Sequence, residues 1–209
     1  MFKTPYLLVA GCSHTAGVGV TLDNCWAQHV ATHCNLQLVN LARPAACAKF
    51  VSDSVIDWLS TAPVLPQLIV VQWPTPYRSM DKLHETVHFC NVNFEFDRDN
   101  RPSQIFFEKL KKDFMTRLKN DPDSFVEEWY TSIKNLNFYT QIKIINVYLD
   151  SNDLPTTHKI QNLKDQGIVL HTDEKTAEKT WYFDSKASDG VHHSEHCHRQ
   201  WANRIISLI

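Results

Sequence analysis

The stretch LLVAGCSHTAGVGV, residues 7–20, contains the transition that decides the fold. Four apolar residues run into Gly11, and a cysteine, a serine, a histidine and a threonine follow directly. A short apolar run bounded by glycine predicts a strand that is buried on both faces and ends at Gly11. Ser13 is then expected just past the carboxyl end of this strand, where α/β sheets bind their ligands.

Strand-like and helix-like stretches alternate along the rest of the 209 residues. Apolar runs predict strands at residues 5–10, 36–40, 66–73, 141–149 and 167–171. Amphipathic stretches predict helices at residues 24–34, 49–59, 103–120, 124–137 and 194–209. This alternation predicts an α/β fold, a three-layer α/β/α sandwich with a five-stranded parallel, flavodoxin-like sheet. Asp23 or Asn24 is the predicted cap of the first helix.

Residues 74–137 interrupt this alternation after the third strand. A polar, aromatic and proline-marked part, with a hairpin predicted around residues 91–102, precedes two helices. No repeat, low-complexity tract or linker divides the chain, so we expect one domain, residues 1–209, with a helical and irregular insertion at about 74–137. An insertion beside the carboxyl edge of the sheet predicts a lid or a binding wall.

Composition limits the class of protein. Hydrophobic residues make up 43% of the chain and charged residues 21%, which is typical of a soluble globular protein. The formal net charge of -2 gives no basic field for nucleic acid, and no apolar run has the roughly 20 residues that span a membrane. The N-terminal segment predicts a strand rather than a signal peptide, and six cysteines without CxxC spacing indicate reduced thiols in a cytoplasm-like compartment.

The tail of the chain offers Ser13 two catalytic partners. A serine becomes a nucleophile when a base lies within hydrogen-bond reach and a third group orients that base. In SDGVHHSEHCH, residues 188–198, Asp189 and His192 stand three residues apart just before the final helix. With that spacing the carboxylate can hold the imidazole tautomer while the other ring nitrogen faces the serine.

Three short motifs, in order along the chain, resemble those of the SGNH (GDSL-type) hydrolases, and most closely the divergent members from tailed phages. They are GCSHTAG (11–17), VNLARPAAC (39–47) and DGVHHS (189–194). The resemblance implies Ser13 as nucleophile, His192 as general base and acid, and Asp189 as its orienter. It also implies cleavage of an acyl ester through an acyl-enzyme, without a cofactor or a metal.

The same resemblance implies an oxyanion hole, which this sequence fills incompletely. Its donors are the Ser13 N–H, the N–H of Ala42, where the family has glycine, and an asparagine after the third strand. Here QWPTPYR, residues 72–78, places Pro74 or Thr75 at the asparagine position, and proline has no N–H to donate. Three side chains are candidate replacements, those of Gln72, Thr75 and Arg78.

Two alternative readings stay open. The histidines at 192, 193, 196 and 198, with Cys197, offer zinc ligands, but their spacing on a helix lacks the i, i+4 pair of a zinc-binding helix. We therefore expect no metal, a structural hydrogen bond from His198 and an exposed His193. A catalytically impaired SGNH scaffold that binds a glycan or a protein partner is the second alternative, supported by the broken third motif.

The substrate is predicted only by class. Candidate substrate-binding residues are His14, Asn40, Trp73 and Arg78, although exposure on a turn for His14 and a place in the core for Trp73 are the simpler accounts. The expected partner is a small-molecule or glycan ester, with an acetylated sugar as the specific hypothesis. A phage origin would place the protein in the cytoplasm of a host cell or on the virion.

Overall fold

The computed structural model describes residues 4–83, 86–91, 104–140, 142–150, 168–171, 187 and 192–209. Its strands are β1 (Tyr6–Ala10), β2 (Gln37–Asn40), β3 (Leu68–Trp73), β4 (Arg78–Leu83), β5 (Thr86–Asn91), β6 (Ile144–Asp150) and β7 (Ile168–His171). Its helices are α1 (Ser13–Ala16), α2 (Trp26–His33), α3 (Ala48–Thr61), α4 (Gln104–Asn120), α5 (Asp123–Tyr139) and α6 (Glu195–Ile206), with a 3-10 turn at Leu22–Asn24.

The apolar run at the start of the chain forms β1, and all five of its residues are buried. Such a strand needs a neighbour on each side and a covered surface above and below. β1 pairs in parallel with β2 on one side and with β3 on the other. The strand order is β2-β1-β3-β6-β7, with every neighbouring pair parallel. The prediction of an α/β fold built on a parallel sheet is confirmed.

Side chains of β1 alternate between two helical layers, as the two-residue period of a strand requires. Tyr6, Leu8 and Ala10 pack in the core with residues of α3 and α5. Leu7 and Val9 face the opposite way and pack with α2 and α6. Full burial of each such side chain contributes about 1.5–3 kcal/mol, so the two cores hold the sheet from both faces.

The segment after β3 differs from the prediction at its C-terminal end. β4 and β5 form an antiparallel hairpin, followed by α4 and α5, which begin and end close to their predicted positions. α5 is not an elaboration, because Val126, Trp129, Ile133 and Leu136 are buried in the core beside α3. The hairpin predicted around residues 91–102 lies almost entirely outside the described residues.

The residue that caps α2 was harder to predict than the helix itself. Cys25 is the N-cap residue of α2 and makes no side-chain capping bond, so the predicted cap at Asp23 or Asn24 is wrong. Asn24 instead donates from Nδ2 to Glu195 Oε1 at 2.7 Å and joins the start of α6 to the turn before α2. Tertiary contact therefore replaced the local role.

The last helix is fixed at its start by Ser194, whose Oγ accepts the Cys197 N–H at 3.4 Å. Trp201 and Ile205 are buried on the inner face of this helix. No helix in the part of the chain that the structure describes has the length and apolarity needed to cross a bilayer. The five cysteines at 12, 25, 34, 47 and 197 are free thiols.

Candidate active site

Ser13 begins α1 directly after the carboxyl end of β1. The turn is closed by the N–H groups of Thr15 and Ala16, which both donate to the Cys12 carbonyl at 3.1 and 2.9 Å. Cys12 packs inward with the α2 and α6 core. Ser13 keeps 8% of its surface exposed, and within the described residues its hydroxyl forms no hydrogen bond.

Gly11 is needed because two groups occupy the space where a side chain would begin. A Cβ on Gly11 would lie 2.1 Å from Thr15 Oγ1 and 3.0 Å from the Gln72 carbonyl oxygen. Ala10 pairs with Val71, so Gly11 and Gln72 are neighbours at the ends of β1 and β3. Thr15 Oγ1 donates to Gln72 Oε1 in a short buried hydrogen bond that ties α1 to β3.

The loop after β2 is tied to the same turn by Asn40. Its Nδ2 donates to the Thr15 carbonyl at 2.9 Å, and its Oδ1 accepts the N–H of Ala42 at 2.9 Å. Asn40 therefore holds the loop against α1, and its amide is used within the protein rather than offered to a substrate. The Ala42 N–H is engaged in the same way, so oxyanion binding by Ala42 would require this bond to be shared or broken.

The fold brings His192 and His193 close to the turn that contains Ser13 and His14. The His192 ring centroid lies 5.5 Å from that of His14, the residue after Ser13. The His14 ring also lies 4.7 Å from His193 and 5.7 Å from Trp201, in an edge-on contact. His14 and His193 are half-buried, so the prediction that both are exposed is wrong. The turn before α6 is closed by the Ala187 N–H, which donates to the His192 carbonyl at 2.9 Å. Asp189 lies outside the described residues.

Burial keeps three histidines of this group neutral at pH 7. Desolvation, followed by the positive charges of His193, His192, Arg78 and His198, holds the pKa of His14 well below its usual range. Burial, then the charge of His192, lowers the pKa of His193 to about 4. His198 has a pKa lowered to about 4, chiefly by burial, and its Nδ1 accepts the Trp26 N–H at 3.1 Å. The predicted structural role of His198 is confirmed.

The end of β3 places two of its predicted site residues inside the protein. Trp73 is fully buried and donates from Nε1 to Asn146 Oδ1 at 2.9 Å, so its predicted place in the core is confirmed and the alternative of substrate contact is wrong. Gln72 is also fully buried, and its Nε2 has no hydrogen-bond partner among the described residues. Thr75 is partly exposed in the following loop. Arg78, at the start of β4, is half-buried, with Nη1 at 3.5 Å from the Ala46 carbonyl.

A metal centre finds no support in the described part of the chain. No group of three His, Cys, Asp or Glu side chains there is arranged to hold a metal ion. His196 is exposed on α6, while His198 is committed to the backbone of α2. The two residues therefore serve different surroundings despite their proximity in sequence.

Sequence reasoning missed Thr15 and Trp201 as parts of the site. Thr15 lies two residues after Ser13. Its hydroxyl donates to Gln72, and its carbonyl accepts from Asn40. Trp201 was expected only in the core, and its indole also packs against His14 and His193. The available signal was position, since Trp201 lies on the helix that directly follows the two histidines.

Comparisons with known proteins agree with this architecture. No family model matches the sequence, and no curated protein sequence is similar to it. A lipolytic protein of the G-D-S-L family from Desulfitobacterium hafniense superimposes with a TM-score of 0.55 at 11% identity, over 97% of this chain and 99% of that one. A psychrotrophic esterase of a Pseudoalteromonas species, in a structure inhibited by monoethylphosphonate, gives 0.54 at 10% identity, over 97% and 94%.

An acetyl xylan esterase from the rumen bacterium Butyrivibrio proteoclasticus gives a TM-score of 0.51 at 13% identity, over 100% of this chain and 64% of that one. Identities this low relate folds rather than activities. With Ser13 at the end of β1 and the His192 ring 5.5 Å from that of the neighbouring His14, the chain has the fold found in G-D-S-L lipolytic proteins and carbohydrate esterases.

Proposed function

We propose that this protein is a serine hydrolase of the SGNH type that cleaves an acyl ester through an acyl-enzyme on Ser13. The observation that carries the proposal is that His192, just before the last helix, lies close to the turn that contains Ser13. Ser13, which keeps 8% of its surface exposed in the turn after β1, lies next to His14, whose ring is 5.5 Å from that of His192. A serine and a histidine near one another at the carboxyl edge of a parallel sheet would suit acyl transfer.

In the proposed reaction His192 takes the proton of the Ser13 hydroxyl as its oxygen attacks the ester carbonyl. The tetrahedral intermediate collapses to an acyl-serine, and His192 returns the proton to the departing alcohol. Water then attacks the acyl-serine by the same route and releases the acid. Asp189 is proposed to orient His192, and the Ser13–His192 hydrogen bond is expected to form when substrate binds.

The proposed oxyanion hole begins with the Ser13 N–H. Each donor aimed at the developing charge is worth about 10²–10³ in rate. Ala42 can contribute if its bond to Asn40 is shared, and Gln72 and Thr75 are the candidate side-chain donors. If Gln72 or Thr75 is that donor, its replacement by alanine should cost roughly 2.7–4 kcal/mol of transition-state stabilisation. Full kcat in both variants would remove these two from the oxyanion hole.

The proposed substrate is an acylated carbohydrate, with acetyl as the acyl group. The acetyl xylan esterase among the structural neighbours supports this choice. A phage origin, with a cytoplasmic or virion-associated location, stays a prediction from the resemblance of the three motifs.

The direct test is hydrolysis of 4-nitrophenyl acetate by wild type, Ser13→Ala and His192→Ala. We expect either substitution to lower kcat/KM by about 10³-fold or more, with the fold retained. Ser52→Ala is the matched control, because Ser52 is a buried serine on α3 and not part of the loops at the carboxyl edge. A folded Ser13→Ala protein with wild-type turnover would refute the assignment.

A binding module is the second candidate function, favoured by the state of the oxyanion donors. The N–H of Ala42 is already engaged, and the Gln72 amide is fully buried. In that case wild type and Ser13→Ala should bind an acetylated xylan oligosaccharide equally tightly, with no Ser13-dependent turnover of any ester. Isothermal titration with both proteins separates the two functions.

A further inference from the structure

Arg78 is positioned across the mouth of the candidate active site. It follows β3, whereas its Nη1 lies 3.5 Å from the carbonyl of Ala46, in the loop that follows β2. In the sheet, β1 lies between β2 and β3. The guanidinium therefore extends over the carboxyl end of β1, where Ser13 begins α1. Its positive charge is near enough to contribute to the lowered pKa of His14.

No described residue neutralises the charge on Arg78. Its Nε is buried and has no hydrogen-bond partner among the described residues, and none of their carboxylates lies within ion-pair distance of it. His14 is neutral at pH 7, so it adds no negative charge. Removing an unpaired guanidinium from water costs several kcal/mol, and a buried cation is usually paired. Since no described residue supplies a counter-charge, the position of Arg78 is suited to an anionic ligand.

The backbone that carries Arg78 is held in place before any ligand arrives. Trp129 Nε1, on α5, donates to the Pro74 carbonyl at 2.7 Å. The Tyr77 ring lies 6.3 Å from that of Phe125, at the start of the same helix. The Arg78 N–H donates to the Pro76 carbonyl at 2.7 Å. A loop anchored on a core helix at two points loses little entropy when the arginine binds.

We propose that Arg78 binds a carboxylate on the ester substrate, so that the protein selects acyl esters of acidic compounds. The planar guanidinium offers paired N–H donors that match the two oxygens of a carboxylate. This inference rests on the proposed hydrolase function and adds the charge of its substrate. The carboxylate can belong to the acyl group, as in a succinyl ester, or to the alcohol, as in an acetylated uronic acid.

The test compares matched charged and neutral esters. One pair is 4-nitrophenyl succinate and 4-nitrophenyl acetate, which places the carboxylate on the acyl side. The other is mono-O-acetylated galacturonic acid and mono-O-acetylated galactose, which places it on the alcohol side. For one of the two pairs we expect Arg78→Gln to lower the charged-to-neutral ratio of kcat/KM by about 10- to 100-fold, as loss of a charge-assisted hydrogen bond implies.

Two further variants complete the test. Arg78→Lys keeps the charge without the fork and should recover part of the ratio. Arg204→Gln, at an exposed position on α6, should leave the ratio unchanged. Equal ratios in wild type and Arg78→Gln for both pairs, with thermal unfolding showing both proteins folded, would overturn the proposal. So would a fall in charged and neutral turnover by the same factor.

Equilibrium binding separates this inference from the hydrolase itself. Wild type is titrated with sodium galacturonate, sodium succinate and neutral galactose. Weaker binding of either carboxylate to Arg78→Gln than to wild type supports the anion site even if no ester is hydrolysed. Absence of any difference for both carboxylates refutes it, whatever the esterase assay shows.

Discussion

The carboxyl ends of β1 and β3 lie side by side in the sheet and differ in how their polar groups are satisfied. At the end of β1, Thr15 binds Gln72, Asn40 binds Thr15 and Ala42, and the loop after β2 is joined to Gly11 by the Arg43 N–H at 3.2 Å. Near the end of β3, Gln72 Nε2 and Arg78 Nε are buried without partners among the described residues, and at the end of β1 the same holds for His14 Nδ1.

We interpret the hydrogen-bonded residues after β1 as the support of the site and the residues after β3 as its ligand-binding side. A nucleophile must be held in one geometry, which the hydrogen bonds around α1 provide. Unpaired donors cost stability unless a ligand completes them, so we propose that Gln72 and Arg78 lie on the side of the site that meets substrate. Substitutions on both sides of the site test this division of roles.

The support under β3 can be removed at Trp129. Its indole is buried in the core and donates to the Pro74 carbonyl. Trp129→Ala should lower the free energy of unfolding by about 3–5 kcal/mol, as measured by urea denaturation. Phe138→Ala on the same helix is the matched control, because Phe138 is 93% exposed. Equal free energies of unfolding for the two variants would show that α5 does not contribute to the core.

Burial of His198, on α6, should make the free energy of unfolding depend on pH. The pKa of His198 is about 4 in the folded protein and near 6.5 when unfolded, so between these values the unfolded chain binds the extra proton. Stability is therefore full above pH 6.5 and falls by roughly 3 kcal/mol from this group as the pH drops to 4.

His198→Asn keeps an acceptor for the Trp26 N–H but does not titrate. The plot of unfolding free energy against pH should be flatter for this variant between pH 6.5 and 4 than for wild type. His33→Asn, at an exposed position on α2, is the control. An unchanged slope in His198→Asn would show that the histidine is not held neutral by burial.

The packing of the nucleophile turn can be tested at Gly11. Gly11→Ala places a methyl group 2.1 Å from Thr15 Oγ1, which forces α1 to move. We expect a loss of about 1–3 kcal/mol of stability and a fall in esterase activity at a temperature where the variant is folded. Wild-type activity in a folded Gly11→Ala protein would mean that Ser13 tolerates a shifted α1.

The smallest effect is expected at the Thr15–Gln72 hydrogen bond. Thr15→Val removes the donor and leaves the buried Gln72 Oε1 unsatisfied, at a cost of about 1–2 kcal/mol. The double variant Thr15→Val, Gln72→Leu should be less destabilised than the sum of the two single variants. Additive losses in the double-mutant cycle would show that the two side chains act independently.

The positions of candidate site residues could be predicted where these residues lie next to the end of a strand or the start of a helix. Ser13 follows an apolar run and His192 precedes an amphipathic helix, and both patterns can be read locally. His193 was expected to be exposed and is half-buried, because burial of an imidazole ring depends on what packs against it. The roles of Ser13, His192, Asp189 and the oxyanion donors stay predictions.

The sequence by itself determined the alternation of strands and helices, the parallel sheet and the position of Ser13 at a strand end, since periodicity and glycine act within a few residues of each other. Only the tertiary structure decided that α5 belongs to the core, that Asn40 engages the Ala42 N–H, and that Arg78 reaches the Ala46 carbonyl with no counter-charge among the described residues. These depend on contacts between residues distant in the chain, which local patterns do not encode.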